Sequence, residues 1–384
     1  MKFLVIGSGM QGQAAAYDLI RNPQVGRVVL ADASRDRVEK TKRWLNSDKI
    51  CTAVLSASDC NAVAQAATGM DVVVGAVPYE LNFNIANACI AAKASFVDLG
   101  GETSVALKEL ELDSDAKAAG VTIIPDCGVG PGLTNVAAAY GIERLDIVDS
   151  VEIRDGGLPQ RPKPPLNYLI VFSFDVVLNE YSGTTYAVRD FKRVEVEALS
   201  EVEEITLPEP FGRCEAAHGA SMLSTLPWSY KNKVRNMDTK IIRYPGHFAF
   251  MKILRDAGFL NKQPVNVSGL QIIPWDITRE ILRQSLETTD REDLYYMKVT
   301  VTGSQAQQRK QIVLEVLDLY DKKTEMTAMA RGTAFTASIV AQMIGSGVIK
   351  AKGAFASELA VPPLALFDEL RKRNIVVNIR EQIA

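Results

Sequence analysis

Histidine is almost missing from this chain: 384 residues hold only His218 and His247. Cysteine is sparse too, and Cys51, Cys60, Cys89, Cys127 and Cys214 are scattered, odd in number and nowhere spaced as CxxC. A zinc site draws on those two residue types at short spacings, so no metal centre is expected. The same pattern fits reduced thiols in a cytoplasm rather than a disulfide framework. No apolar run approaches the roughly 20 residues of a membrane span. The first apolar stretch is too short for a signal peptide and is interrupted by Gly7 and Gly9. An excess of one charge sign is also lacking, since 43 Lys+Arg against 46 Asp+Glu leaves a net charge of −3. That balance points to neither a nucleic-acid footprint nor a membrane-surface patch. Internal repeats and low-complexity tracts are absent as well. With 47% hydrophobic and 23% charged residues, this is the composition of an ordinary soluble globular chain. Its length suits two domains.

What is present is concentrated at the start. The apolar run Phe3-Leu4-Val5-Ile6 suits a buried parallel strand, and it leads directly into Gly7-x-Gly9-x-x-Gly12 and a helix-like stretch from Gln13 to Ile20. In such a loop the first glycine allows a tight turn and the second lets backbone approach a pyrophosphate. The third lets the helix pack close to the strand. The unpaired N–H groups that open the helix face the phosphates with the positive end of its dipole. A second apolar run, Arg27 to Ala31, ends in Asp32, where a carboxylate would accept hydrogen bonds from the adenine ribose. A carboxylate there repels a 2′-phosphate and argues for NAD over NADP. Arg35 and Arg37, close by, temper that repulsion. The competing reading is a glycine-rich turn in another α/β fold, with Asp32 as a helix cap.

The first third continues as alternating strand and helix. Strands are expected at Ile50–Val54, Met70–Ala76, Ala94–Leu99 and Val121–Pro125, with helices at Asp59–Ala67, Phe83–Lys93 and Val105–Ala119 between them. That rhythm predicts an α/β fold with a Rossmann doubly wound parallel sheet. After Cys127 the character changes. Gly128 to Asn135 is a glycine-rich turn opening a small-residue helix, Val136 to Tyr140. Ile147–Arg154 and Thr184–Leu199 read as antiparallel strand material, and Arg161–Pro165 as a stiff connector. Val299–Gly303 and Arg309–Leu319 read as one hairpin. From Phe335 the pattern is helical again, at Ala337–Ile344 and Ala365–Lys372. We expect a nucleotide domain made of residues 1–127 and 335–384, and a second, α+β domain for substrate binding and dimerisation over 128–334.

Several segments together resemble the saccharopine dehydrogenase-like oxidoreductases, with the lysine 6-dehydrogenase branch nearest. The resemblance runs essentially end to end. It rests on the Gly7/Gly9/Gly12 loop, Val97 to Gly101, Ile124 to Gly132, Gly157-Leu158-Pro159, Pro164 to Tyr168, Lys240 to His247 and the tail Glu369 to Ile375. It implies a homodimer and NAD-linked oxidation at a carbon–nitrogen bond. The leading expectation is deamination of L-lysine at its ε-amine, giving allysine and ammonia. A reductase coupling an aldehyde or keto acid to an amine is the alternative within the family, and a non-catalytic NAD-binding protein is the alternative of another class. Two departures stand out. Gly101-Glu102-Thr103 replaces the expected glycine-then-histidine, and Gly130 occupies the place where saccharopine reductases carry an acid, which counts against saccharopine chemistry.

The chemistry suggests roles. A lysine amine has a pKa of about 10.4, so a base must take its proton before hydride can leave. Asp126, after the last strand of the nucleotide sheet, is the candidate, with capping of the adjacent turn as the equal alternative. Arg243 stands in the apolar run Ile241 to Tyr244, and its fork suits a substrate carboxylate or a structural ion pair. His247, and less so His218, are candidate proton carriers. Tyr79 follows the loop Ala76-Val77-Pro78, which should cover the nicotinamide ribose. The NAD site is expected along Gly7, Gly9, Met10, Gln11, Gly12, Asp32, Ala76, Val77, Pro78, Asp98 and Gly100. Tyr168 and Thr225 are substrate contacts implied by the resemblance.

Overall fold

The computed structural model describes residues 1–383. Two compact units emerge. The first takes Met1–Arg144, Ser224–Lys231 and Ala330–Val377, and the second takes Leu145–Leu223, Asn232–Met329 and the chain from Asn378. The division thus falls at Arg144 rather than at 127, and the last strand of the chain sits in the second unit.

The first unit is built on a parallel sheet. Its strands are β1 (Lys2–Ile6), β2 (Arg27–Asp32), β3 (Ile50–Val54), β4 (Val72–Gly75), β5 (Ser95–Asp98) and β6 (Thr122–Ile124). In the second unit follow β7 (Ile147–Pro159), β8 (Thr184–Arg189), β9 (Lys192–Glu197), β10 (Glu203–Leu207), β11 (Gly212–Ala217), β12 (Val234–Arg243), β13 (Val265–Val267), β14 (Leu270–Ile272), β15 (Asp293–Gln305) and β16 (Gln308–Leu319). β17 (Gly353–Ala354) returns to the first sheet, and β18 (Asn378–Ile383) ends the second.

The first sheet has the order β17-β6-β5-β4-β1-β2-β3, all parallel. The strand order reverses between β1 and β4, and that switch point is where ligands bind in doubly wound sheets. Phe3, Leu4, Val5 and Ile6 are buried on both faces, which explains the continuous apolar run. The crossover helices are capped from the sequence: Ser34 accepts from the Arg37 amide, and Asp59 from those of Asn61 and Ala62. The helix expected over 105–119 is two helices, Thr103–Leu110 and Asp113–Ala119. The break lets Leu112 and Ala116 turn into the core, and Asp113 and Asp115 favour a fresh N-terminus. Helix Ala328–Gly345 leads back, and β17 then pairs with β6.

The second sheet is mixed, ordered β10-β11-β12-β7-β15-β16-β18, with β8 on β12 and β9 on β8. β7 runs parallel to β12, a pairing that the antiparallel expectation missed. The expected hairpin, β15–β16, is present and turns at Ala306-Gln307, and the antiparallel material of Thr184–Leu199 folds as a second one, β8–β9, turning at Asp190-Phe191. All four turn residues have positive φ, the geometry of a tight two-residue hairpin turn adopted here without glycine. The helices of this unit, Phe174–Asn179, His247–Asp256 and Pro274–Ser285, pack a core of Leu178, Tyr181, Phe248, Met251 and Trp275. Among the described residues no helix is long and apolar enough to cross a membrane.

Candidate functional site

At the switch point the three glycines do two different things. A Cβ on Gly12 would lie 1.8 Å from the Gly7 carbonyl oxygen, and one on Gly7 would lie 2.1 Å from that of Ala76. Both positions are closed by backbone. A Cβ on Gly9 would meet nothing within 4 Å. Gly9 therefore borders open space, as a residue does when a ligand is meant to fill it. Helix Met10–Arg21 starts there with no side-chain cap, so its dipole end faces that space. The Gln11 Oε1 atom is buried without a hydrogen-bond partner. Asp32 accepts from the Ser8 amide at 2.8 Å and from Ser34 at 2.8 Å, which fixes its carboxylate beside the loop. These features fit a dinucleotide. Gly7 to Gly12 would hold its pyrophosphate, Asp32 its adenine ribose, and half-buried Ala76 and Val77 would flank the rest.

The ends of β5 and β6 carry a second set of groups. Asp98, expected along the cofactor site, is fully buried. Its Oδ1 accepts from the amides of Gly100 (2.7 Å) and Asp126 (3.2 Å), so it ties the two turns together. Burial pushes its carboxyl up to about 6. Glu109, also buried, is hydrogen-bonded to it. Burial first, then the Asp98 charge, raises Glu109 well above the ordinary carboxyl range, so that Glu109 brings the proton they share.

Asp126 takes a left-handed φ of 56°, unusual for a side chain larger than glycine. Its carboxylate accepts from the Ser224 hydroxyl. A Cβ on Gly100 would fall 2.4 Å from Asp126 Oδ1, so glycine at 100 makes room for that carboxylate. Burial and the neighbouring Asp98 raise Asp126 well above the usual range. Thr225 is spent within the same unit, donating to Glu358 at 2.8 Å. Half-buried Tyr79 lies against Gly101, and burial with Glu80 and Glu102 pushes its phenol up to about 12.

In the second unit Arg243 is 3% exposed. It donates to Glu180 at 2.9 Å and to the Tyr181 hydroxyl at 3.1 Å, so the charge expected to clamp a carboxylate is already paired. Tyr168 stacks near it, 5.0 Å from guanidinium to ring centre. His247 donates from Nδ1 to the Leu166 carbonyl (3.0 Å) and accepts at Nε2 from Tyr181 (2.9 Å). Burial, with Arg243 nearby, lowers its pKa to about 3, so it stays neutral and structural where a proton carrier was expected. His218 is likewise buried, between the Thr239 carbonyl and Glu201. Glu201, His218 and Asp238 bring three potential ligand atoms within 4.8 Å of one another, but both acids are bonded to Arg189.

Glu109, Ser224 and Glu358 in the first unit escaped the sequence reading, as did Asp155, Glu180 and Tyr181 in the second. One signal was available: an arginine in a buried strand demands a carboxylate somewhere.

Comparison with known proteins agrees with this architecture. The saccharopine dehydrogenase NADP binding domain matches residues 3–124, and the saccharopine dehydrogenase C-terminal domain matches residues 128–376. The mitochondrial alpha-aminoadipic semialdehyde synthase of Bos taurus is 27% identical over 53% of this chain and 22% of its own. Saccharopine dehydrogenase [NADP(+), L-glutamate-forming] of Saccharomyces cerevisiae is 25% identical over 76% of this chain and 65% of its own. The carboxynorspermidine synthase of Vibrio alginolyticus is 23% identical over 73% and 72%. The chain thus spans less than two thirds of the first two. The apo saccharopine dehydrogenase (L-Glu forming) structure from Saccharomyces cerevisiae superposes with a TM-score of 0.79, at 18% identity and 99% coverage of both chains. Two family models matching in sequence along nearly its whole length place the chain in the saccharopine dehydrogenase family.

Proposed function

We propose that this protein is a nicotinamide-dependent oxidoreductase acting at the carbon–nitrogen bond of an amino acid or related amine. The observation that carries the reading is the open, uncapped cradle at Gly9 beside Asp32, in a chain of this family. NAD is the favoured cofactor because the Asp32 carboxylate disfavours a 2′-phosphate. The name of the matching nucleotide-domain family makes NADP the alternative to be tested. When bound, the nicotinamide supplies the hydride acceptor or donor.

The chain's own part is protonic. An ammonium cannot release hydride, so a base must first take its proton. Asp126 suits that step better than an ordinary aspartate, since burial has raised its affinity for a proton toward that of the amine. Asp98 holds the amide of Asp126 and so fixes the turn carrying it, and Ser224 orients the carboxylate. Oxidative deamination of L-lysine at the ε-amine is the leading reaction, in a homodimer. The second reading is reductive coupling of an amine with an aldehyde or keto acid, favoured by the names of the yeast and Vibrio relatives. Gly130 in place of an acid speaks against the saccharopine form of it.

The test is direct. Purified protein is mixed with NAD or NADP and a panel of amino acids at alkaline pH, with NADH or NADPH absorbance and ammonia followed together. Reduced cofactor and ammonia appearing in step with L-lysine support the leading reading. Cofactor oxidation only when an aldehyde or keto acid and an amine are supplied together moves the protein to the coupling branch. Tight cofactor binding without turnover in either direction refutes both.

A further inference from the structure

Arg243 pairs with one carboxyl group and lies near a second. Glu180 takes its Nη2 at 2.9 Å. Asp155, 4% exposed on β7, is the strand partner of Ile241, two residues before Arg243 on β12, and feels the same guanidinium. Its Oδ2 accepts from the Tyr295 hydroxyl at 3.4 Å, while its Oδ1 is buried and has no hydrogen-bond partner. The Tyr168 hydroxyl, on the ring beside Arg243, is likewise buried without a partner. Orphaned acceptors are uncommon in folded proteins and demand a reason.

The charges facing the cluster can be counted by element. β7 brings Asp155, the segment after helix Phe174–Asn179 brings Glu180 and the neutral phenol of Tyr181, and β12 brings Arg243. Helix His247–Asp256 brings His247, which is uncharged, and β15 brings the neutral Tyr295. One fixed cation therefore serves two acids. Burial pushes both Asp155 and Glu180 up to about 7, against the pull of Arg243. A ligand carboxylate arriving here would make three anions around one cation. A ligand ammonium would make two and two, and buried charges persist only when paired.

We propose that Asp155, backed by Glu180 and Tyr168, is the acceptor for a protonated primary or secondary amine of the ligand, and that Arg243 neutralises Glu180 instead of clamping a substrate carboxylate. This rests on the reading of the protein as an amine oxidoreductase and names how the amine is recognised. Asp155 Oδ1 gives up no existing bond to accept the ammonium N–H. The Tyr168 oxygen can accept another.

The full chain without cofactor is titrated at pH 8 with n-butylammonium chloride, sodium butyrate and n-butanol, by thermal shift and calorimetry. Saturable stabilisation by butylammonium alone is expected, at least tenfold weaker in Asp155→Asn and several-fold weaker in Tyr168→Phe. Affinity for butylammonium in the unaltered protein should also rise about tenfold from pH 6 to pH 8, as Asp155 loses its proton. That measurement needs no variant to fold. Binding of butyrate in preference to butylammonium overturns the proposal and restores Arg243 as a carboxylate clamp. So does an absence of butylammonium binding, or undiminished binding in Asp155→Asn. Failure of the oxidoreductase reading would appear elsewhere, as no cofactor turnover with any amine while butylammonium still binds.

Discussion

Replacing Gly9 with alanine should separate cofactor binding from folding. The backbone at Gly9 has φ −77° and ψ −171°, which alanine adopts without strain, and its Cβ would touch nothing within 4 Å. Two small terms then oppose each other. Restricting the unfolded chain contributes about 0.4–1 kcal/mol of stability. Alanine is a poorer N-cap than glycine, which costs a similar amount, about 0.5–1 kcal/mol. The thermal midpoint should therefore stay within about 2 °C of the original. The new methyl group would instead occupy the space where a pyrophosphate approaches backbone. Loss of a charge-assisted hydrogen bond there is worth about 1.5–3 kcal/mol, or roughly 10- to 150-fold in Kd. Gly12→Ala is the control, because its Cβ would lie 1.8 Å from the Gly7 carbonyl oxygen and the backbone must shift. Overpacking of that kind costs about 1–3 kcal/mol, a drop on the order of 2–10 °C. Calorimetry of the cofactor-free protein and NADH fluorescence titration measure the two effects. An unchanged NADH Kd in Gly9→Ala, or a loss of stability matching that of Gly12→Ala, would refute the reasoning.

Three further outcomes are expected. Asp32→Asn, which keeps an acceptor oxygen but removes the charge, should shift the NADP-to-NAD affinity ratio about tenfold toward NADP, or ~1.4 kcal/mol; an unchanged ratio measured by fluorescence titration would remove Asp32 as the discriminator. Stability should fall as pH rises from 5 to 8. Asp98 is raised to about 6 and Asp155, Glu180 and Asp293 to about 7, so the folded state holds protons that the unfolded state releases near pH 4, and the advantage is lost as pH climbs through the folded values. One such group alone shifts stability by about 1–3 kcal/mol across that window, and a flat or rising thermal midpoint would contradict the burial of these acids. Finally, Arg373→Ala leaves Asp18, 3% exposed and bonded to Arg373 Nη2 at 3.0 Å, without its counter-charge, and should cost about 3–5 kcal/mol by denaturant unfolding; a loss below 1 kcal/mol would mean the pair is solvated.

The nucleotide half was legible in the sequence because its physics is local. A strand buried on both faces must be apolar throughout, a tight turn against Ala76 must be glycine, and an acid at the end of β2 follows from the crossover length. β1 to β6 accordingly fall where the pattern put them, give or take a residue or two. The second half was less legible because its sheet is assembled from distant segments. β7 and β12 are more than seventy residues apart in sequence and run parallel, and β18 joins from the far end of the chain. Nothing in the alternation of β7 states its neighbour. The β15–β16 hairpin could be read because its two strands are adjacent in sequence.

The side chains divide along the same line. Gly9 and Asp32 do their work where their sequence neighbours place them. The charge state of Asp98 depends on Glu109, eleven residues on and on a different element, and that of Asp155 depends on Arg243 and on Glu180. A sequence reading can say that Arg243 needs an anion, since an unpaired guanidinium in an apolar strand is too costly to persist. It cannot say whether that anion comes from the protein or from a ligand. Here Glu180 already pairs with the guanidinium and Asp155 lies near it, which is why a cation is proposed for this cluster. On the proposed reading as an amine oxidoreductase, that is the more informative partner. A carboxylate is common to every amino acid, whereas the position of an ammonium along the ligand separates one amine from another.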